Sequence, residues 1–268
     1  TYLPVDRHGL VNPRTLQKAL RPSTILASII HANNEIGTIQ DLAAIGKVCH
    51  FNGTYFHTDA SQSFGKIPID VQRMNIDLLT ASAHKIYGPK GVALFYKRKN
   101  IKIEPLLHGG GHENGLRSST VNTPLIAGFA LAAQIAVKDM TTENRRLSLL
   151  RNRLIDGMRS KVPHMHLNGH PSCCLPNIVN VSFDHIEGES LLLHLDMAGI
   201  QCSTGSACSS SSLSPSHVLT AIGLSPHQAH GSLRLSLGRG TAISDIDAVL
   251  KILPEAVNKL RELSPFKS

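Results

Sequence analysis

TILASII, residues 24–30, is an almost unbroken apolar run rich in β-branched side chains. A half-exposed strand would alternate polar and apolar residues, so a run without alternation predicts a strand covered on both faces. Upstream, Asn12-Pro13 opens a helix to Leu20, since proline suits a first helical position. Downstream, Leu42, Ile45, Val48 and Cys49 fall at helical spacing. TYFHT (54–58), LLTAS (78–82) and VALFY (92–96) then read as three more short strands. Strands alternating with helices predict crossover units and a mainly parallel sheet. The fold class is α/β.

From about Pro124 the texture changes. A helical stretch through Gln134 and Arg145 to Arg159 reads as two helices in contact. IVNVSF (178–183) predicts a strand, Glu189 to Met197 a helix, and LRLSL (233–237) another strand. The last helix carries Ile246, Val249, Leu253, Val257 and Leu260 on one side, and Pro254 is expected to kink it. This half predicts a smaller C-terminal α+β domain. The expected division is 1–123 for the large α/β domain and 124–268 for the small one.

The 268 residues are enough for both, and 41% hydrophobic with 17% charged residues is a globular composition. No apolar run reaches the roughly 18 residues of a spanning helix, and TYLPVDRHG lacks the pattern of a signal peptide. The expectation is a cytoplasmic protein with no membrane partner. A net charge of +8 invites a nucleic-acid reading, but the charges are scattered, Trp is absent and aromatics are only 4%. No nucleic-acid partner is expected, and anionic small molecules suit the charge better. Five cysteines without repeated spacing read as reduced thiols, one of which could be reactive.

Three stretches could carry chemistry. Ser82-Ala83-His84-Lys85 follows a strand, where open α/β sheets bind ligands. A lysine desolvated there can attack a carbonyl to form a Schiff base, although an isolated SxHK is more often a solvated lysine. His57-Thr58-Asp59-Ala60-Ser61-Gln62 follows another strand. Asp59 could keep a pyridinium nitrogen protonated, as pyridoxal phosphate requires, with Gln62 donating to the ring oxygen. Alone, Asp59 would read as a helix cap. Gly205-Ser206-Ala207-Cys208 and the serines after it form a small-residue loop in which Cys208 could be a nucleophile. His108 and His112 around GGG, and Cys173-Cys174 with His164, His166 and His170, are weak metal candidates; no metal site is expected. Gly238-Arg239-Gly240 reads as a strand-to-helix turn.

Taken in order, HANNEIGT (31–38), HTDASQS (57–63), SAHKIYGPKG (82–91), HGGGHENGLRSST (108–120), STGSACSSSSLSPSHVL (203–219) and GSLRLSLGR (231–239) resemble the cysteine desulfurases. These are fold-type I, pyridoxal 5'-phosphate-dependent enzymes of the class V aminotransferase group. The resemblance implies that Lys85 bonds the cofactor and moves the Cα proton. It implies that Asp59 and Gln62 hold the ring, that Ser82 and His84 hold the phosphate, and that Thr120 reaches the phosphate of the other subunit of a homodimer. Asn34 matches an amide near cofactor and substrate, Arg234 the arginine on the substrate carboxylate, and Cys208 the nucleophile. The implied reaction converts L-cysteine to L-alanine and leaves a persulfide on Cys208 for a sulfur-acceptor or cluster-scaffold protein. Selenocysteine lyase on the same fold, or a non-catalytic binding relative, are the alternatives.

The chain departs from the family in one respect. More than a hundred family residues precede the point matching Thr1, including a Gly/Thr-containing phosphate cradle and a ring-stacking histidine. His8 and His31 lie in other contexts, so the chain is expected to be either a fragment of a longer protein or a shortened relative that holds the cofactor poorly; the strand-like start at Thr1 to Pro4 favours the fragment.

Overall fold

The computed structural model describes residues 1–204 and 215–264; Cys208 lies outside them. Contacts divide the chain into two compact units, one of residues 1–19, 32–40 and 141–268, the other of 20–31 and 41–140. Two short N-terminal segments thus group with the C-terminal residues.

The second unit holds a four-stranded sheet in sequence order: β1 (Leu26–Ser28), β2 (Tyr55–Asp59), β3 (Leu78–Ser82) and β4 (Ala93–Lys97). β1 to β3 are parallel, and β4 returns antiparallel along β3. β1 is shorter than the predicted run, but its pairing continues as Ile29 N–H donates to His57 and His31 N–H to Asp59. The expectation that β1 is covered on both faces does not hold among the described residues. Ala27 and Ile29 are buried, whereas Leu26 is 47% exposed and Ile25 74%. Helix α2 (Leu42–Phe51) starts where the Asp41 carboxylate accepts Ala44 N–H, and it buries Leu42, Ile45 and Cys49 beside β2. Its Gly46 comes so close to the chain that a Cβ there would lie 2.0 Å from the carbonyl oxygen of Met74.

The first unit opens with α1 (Pro13–Ala19), with proline at its first position as the sequence predicts. Its sheet runs β5 (Met165–Leu167), β6 (Ile178–Phe183), β7 (Ser232–Ser236), all antiparallel. Every residue of β6 is buried, the mark of a central strand. Leu154 and Met158 pack beneath it with Leu191 and Leu195 of α4 (Gly188–Met197), and with Leu253 and Val257 of α7 (Ile243–Leu263). Two short helices, α5 (His217–Ala221) and α6 (Pro226–His230), precede β7. α7 runs on through Pro254 as one helix. At Gly238 the turn reading holds: Gly238 and Thr241 bond one another, and the Arg146 guanidinium donates to both their carbonyls.

Helix α3 (Thr123–Lys161) is a single 39-residue helix, not two. The middle stretch, Lys138 to Arg146, contains neither proline nor glycine, and its Lys, Glu and Arg residues favour a continuous helix. The buried set changes along it, from Phe129, Ala132 and Ala136 to Leu147, Leu150 and Leu154. By length and composition α3 could cross a membrane, and only 17% of its most apolar 18-residue window is buried. The sequence reading missed this because Gln134, and then Lys138 and Asp139, cut the unbroken apolar run short.

Candidate active site

In the second unit, β2 ends on Asp59 and the neighbouring parallel strand carries the lysine turn. Asp59 pairs with Thr80 in register, so Ser82 stands two residues further along β3. Period-2 alternation puts His57 and Asp59 on one sheet face, and Thr58 and Ala60 on the other. Asp59 is half-buried, and one carboxylate oxygen accepts Ser61 N–H at 2.8 Å. Ala60 N–H donates to the Thr80 carbonyl at 2.8 Å, and Ser63 and Phe64 N–H close a turn onto the Ala60 carbonyl. That turn carries Gln62, also half-buried.

Ser82 leads into a one-turn 3₁₀ helix, Ala83–Ile86, without spending its hydroxyl on the cap. His84 and Lys85 are exposed on this turn, while Ala83 and Ile86 are buried against Phe129, Ala132 and Ala136. Alternate residues thus pin the turn to α3 and free the lysine. Tyr87 ends it in the left-handed conformation (φ 66°), and Gly88 N–H donates to Ala83 at 2.9 Å. A side chain at Gly88 would press on Ala83, its Cβ only 3.0 Å away.

A residue the sequence reading passed over stands beside this set. Lys66 lies four residues after Gln62 and donates from Nζ to its carbonyl at 2.9 Å. Burial first, then the nearby Lys85 ammonium, push the Lys66 amine down to about 8. Its helical spacing from Gln62 was the available signal. The two amines thus feel one another's charge. With the Ser82 hydroxyl, His84, the Gln62 amide and the Asp59 carboxylate, they form a donor set that fits pyridoxal phosphate: cations and hydroxyl for the phosphate, a carboxylate for the pyridinium. Thr120 is exposed before α3, and no hydrogen bond among the described residues ties it to the others.

In the first unit the structure brings together Asn34 and Arg234. Arg234 lies on β7 opposite Asn180, and its Nη1 donates to the Asn34 carbonyl at 3.0 Å. Its backbone pairs with Ser203 in both directions, at 2.6 and 3.1 Å. Asn34 uses its carbonyl here, not its side-chain amide. Cys202, half-buried, has its thiol raised to about 11 by burial and by Asp196. The weak metal candidates are engaged separately: His166 with Asp184, His170 with the Ser172 and Cys173 amides, and Cys174 with Arg151.

Comparison with known proteins adds the lineage. Residues 1–249 match the family model Aminotransferase class-V. The chain is 55% identical over 267 residues to Cysteine desulfurase IscS of Methanosarcina thermophila, covering 99% of this chain and 66% of that protein. It is 53% identical over 268 residues to Cysteine desulfurase IscS of Clostridium botulinum, covering 99% and 68%. A solved NifS-like protein superposes with a TM-score of 0.88 at 37% identity, over 97% of this chain and 68% of that one. The chain thus spans about two thirds of the length of its relatives. With the lysine and aspartate turns on neighbouring parallel strands and near-complete alignment at this identity, the chain belongs to the pyridoxal-phosphate-dependent cysteine desulfurases of the class-V aminotransferase family.

Proposed function

We propose that the natural protein carrying this sequence takes sulfur from L-cysteine, releases L-alanine, and passes the sulfur through Cys208 to an acceptor protein for iron–sulfur cluster or thio-cofactor assembly. Pyridoxal phosphate, when bound, supplies an electron sink for charge at the substrate Cα. Lys85 Nζ, exposed on its pinned turn, moves the Cα proton. The Asp59 carboxylate holds a proton on the ring nitrogen, and Gln62 donates to the ring oxygen. Ser82, His84 and Lys66 gather positive and hydroxyl donors where a phosphate would sit, with Thr120 supplied across a homodimer. Arg234, braced by Asn34, binds the substrate carboxylate as a bidentate fork. The Cys208 thiolate attacks the substrate sulfur: a S–S bond forms and the Cβ–S bond breaks. The electron pair of that bond, with a proton, ends in the methyl group of alanine.

One observation carries this reading: Asp59 and the Ser82–Lys85 turn close neighbouring parallel strands. A cytoplasmic location is part of this proposal, supported by the relation to the desulfurases.

The test has two arms. The cofactor-loaded protein should show a visible absorption band that borohydride removes, and Lys85→Ala should lack both band and turnover. Sulfur label from cysteine should map to Cys208, and Cys208→Ser should stop alanine release. Label on Cys202, whose raised thiol argues against nucleophilicity, would overturn the assignment.

A further inference from the structure

Glu35 follows Asn34 and is buried, with 1% of its surface exposed. A buried carboxylate is costly unless hydrogen bonds compensate it. Here Ser216 Oγ donates to Glu35 Oε2 at 2.6 Å. The same Oγ accepts Val218 and Leu219 N–H, so it also caps α5. The Glu35 carbonyl accepts Asn180 Nδ2 at 3.2 Å, from the middle of the buried strand β6. The turn between is closed on itself. Asn33 Oδ1 accepts Glu35 and Ile36 N–H at 2.8 and 3.0 Å, and Gly37 N–H donates to Asn33 at 3.1 Å. Gly37 stands at φ +74°, and a Cβ there would lie 3.2 Å from Ile178. Asn34, inside this turn, offers the carbonyl that Arg234 Nη1 meets, and Arg234 is paired through its backbone with Ser203. All these residues belong to the first unit. In sequence, Ser203 and Ser216 flank residues 205–214: Ser216 meets this turn directly at Glu35, and Ser203 pairs with Arg234, whose side chain meets it at Asn34.

We propose that Glu35 is a positioning residue. Through Ser216 it locks the Asn33–Gly37 turn, and through that turn it fixes the Asn34 carbonyl that aims Arg234. The inference rests on the proposed function for the identity of what Arg234 binds, a substrate carboxylate. The lock itself is a matter of the hydrogen bonds above.

A polarity swap tests it. Ser216→Asp keeps a good helix cap but sets a second carboxylate against Glu35. Adding Glu35→Gln gives a donor facing an acceptor again, with the polarity reversed. Two readouts are taken on the natural protein carrying this sequence. One is backbone hydrogen exchange of residues 34–37, measured without cofactor. The other, on the cofactor-loaded protein, is the KM for L-cysteine together with L-alanine affinity from calorimetry.

Ser216→Asp should speed exchange in the turn, raise KM and weaken alanine binding by about tenfold or more, as losing a hydrogen bond to a buried charged group does. The double variant should recover most of both. Unchanged exchange in Ser216→Asp, or no recovery in the double variant, overturns the lock. Faster exchange with unchanged KM and alanine affinity overturns its link to Arg234. A parent protein that binds neither amino acid would fell the desulfurase reading instead, and the exchange data would still decide for or against the lock.

Discussion

Lys66 shows how one side chain couples stability to the site. Its amine titrates near 8 in the folded chain against 10.5 when unfolded. Between those values the unfolded chain binds the extra proton, so Lys66 makes stability rise with pH; below about 8 both states are charged and its full penalty is present. Urea unfolding of the cofactor-free chain should therefore show the parent gaining on Lys66→Met from about pH 8 to 10.5, and a constant difference would refute the burial argument. Arg234→Ala should weaken L-cysteine binding by about 2–5 kcal/mol while cofactor affinity stays nearly the same. Titration calorimetry with each ligand checks this, and equal losses would deny Arg234 a carboxylate role. Asp59, Gln62, Ser82 and Lys85 were legible in the sequence because each stands in an apolar strand's closing turn. Lys66 and Glu35 were not, since a lysine one turn after a glutamine and a glutamate in a polar turn look solvated until tertiary burial is known.

At the scale of elements, packing overrules propensity in α2. Alanine for glycine inside a helix ordinarily stabilises by about 1 kcal/mol. At Gly46 the added Cβ would meet the Met74 carbonyl at 2.0 Å, a backbone atom that cannot rotate away. Gly46→Ala should destabilise by about 1–3 kcal/mol in denaturant unfolding, and a gain in stability would show that the 74–75 segment yields easily. Most elements were visible beforehand because their periodicity is strong: β2, β3, β4, β6, β7 and α7 fall within a residue or a few of their predicted spans. The failures share a cause. β5, α5 and α6 are too short to show a period, and the charged middle of α3 marks where its buried set changes, not where the helix ends.

On the scale of the molecule, the two-unit division was hidden because it depends on residues 1–19 and 32–40 joining partners more than a hundred positions away. Nothing in local composition announces that. The second unit also exposes large apolar side chains, among them Leu106 at 92%, Ile25 at 74% and Leu131 at 58%. Where such side chains adjoin one another, working proteins cover them. These 268 residues expressed alone should sediment above monomer mass and brighten a hydrophobic dye, despite the net charge of +8. A dye-silent monomer would contradict this. Gly37 carries a last consequence, for inherited variation. Every missense change in a glycine codon adds a β-carbon, and at φ +74° beside Ile178 each one is strained. A survey of natural or induced alleles should find position 37 nearly invariant, although it contributes no side chain to any chemistry.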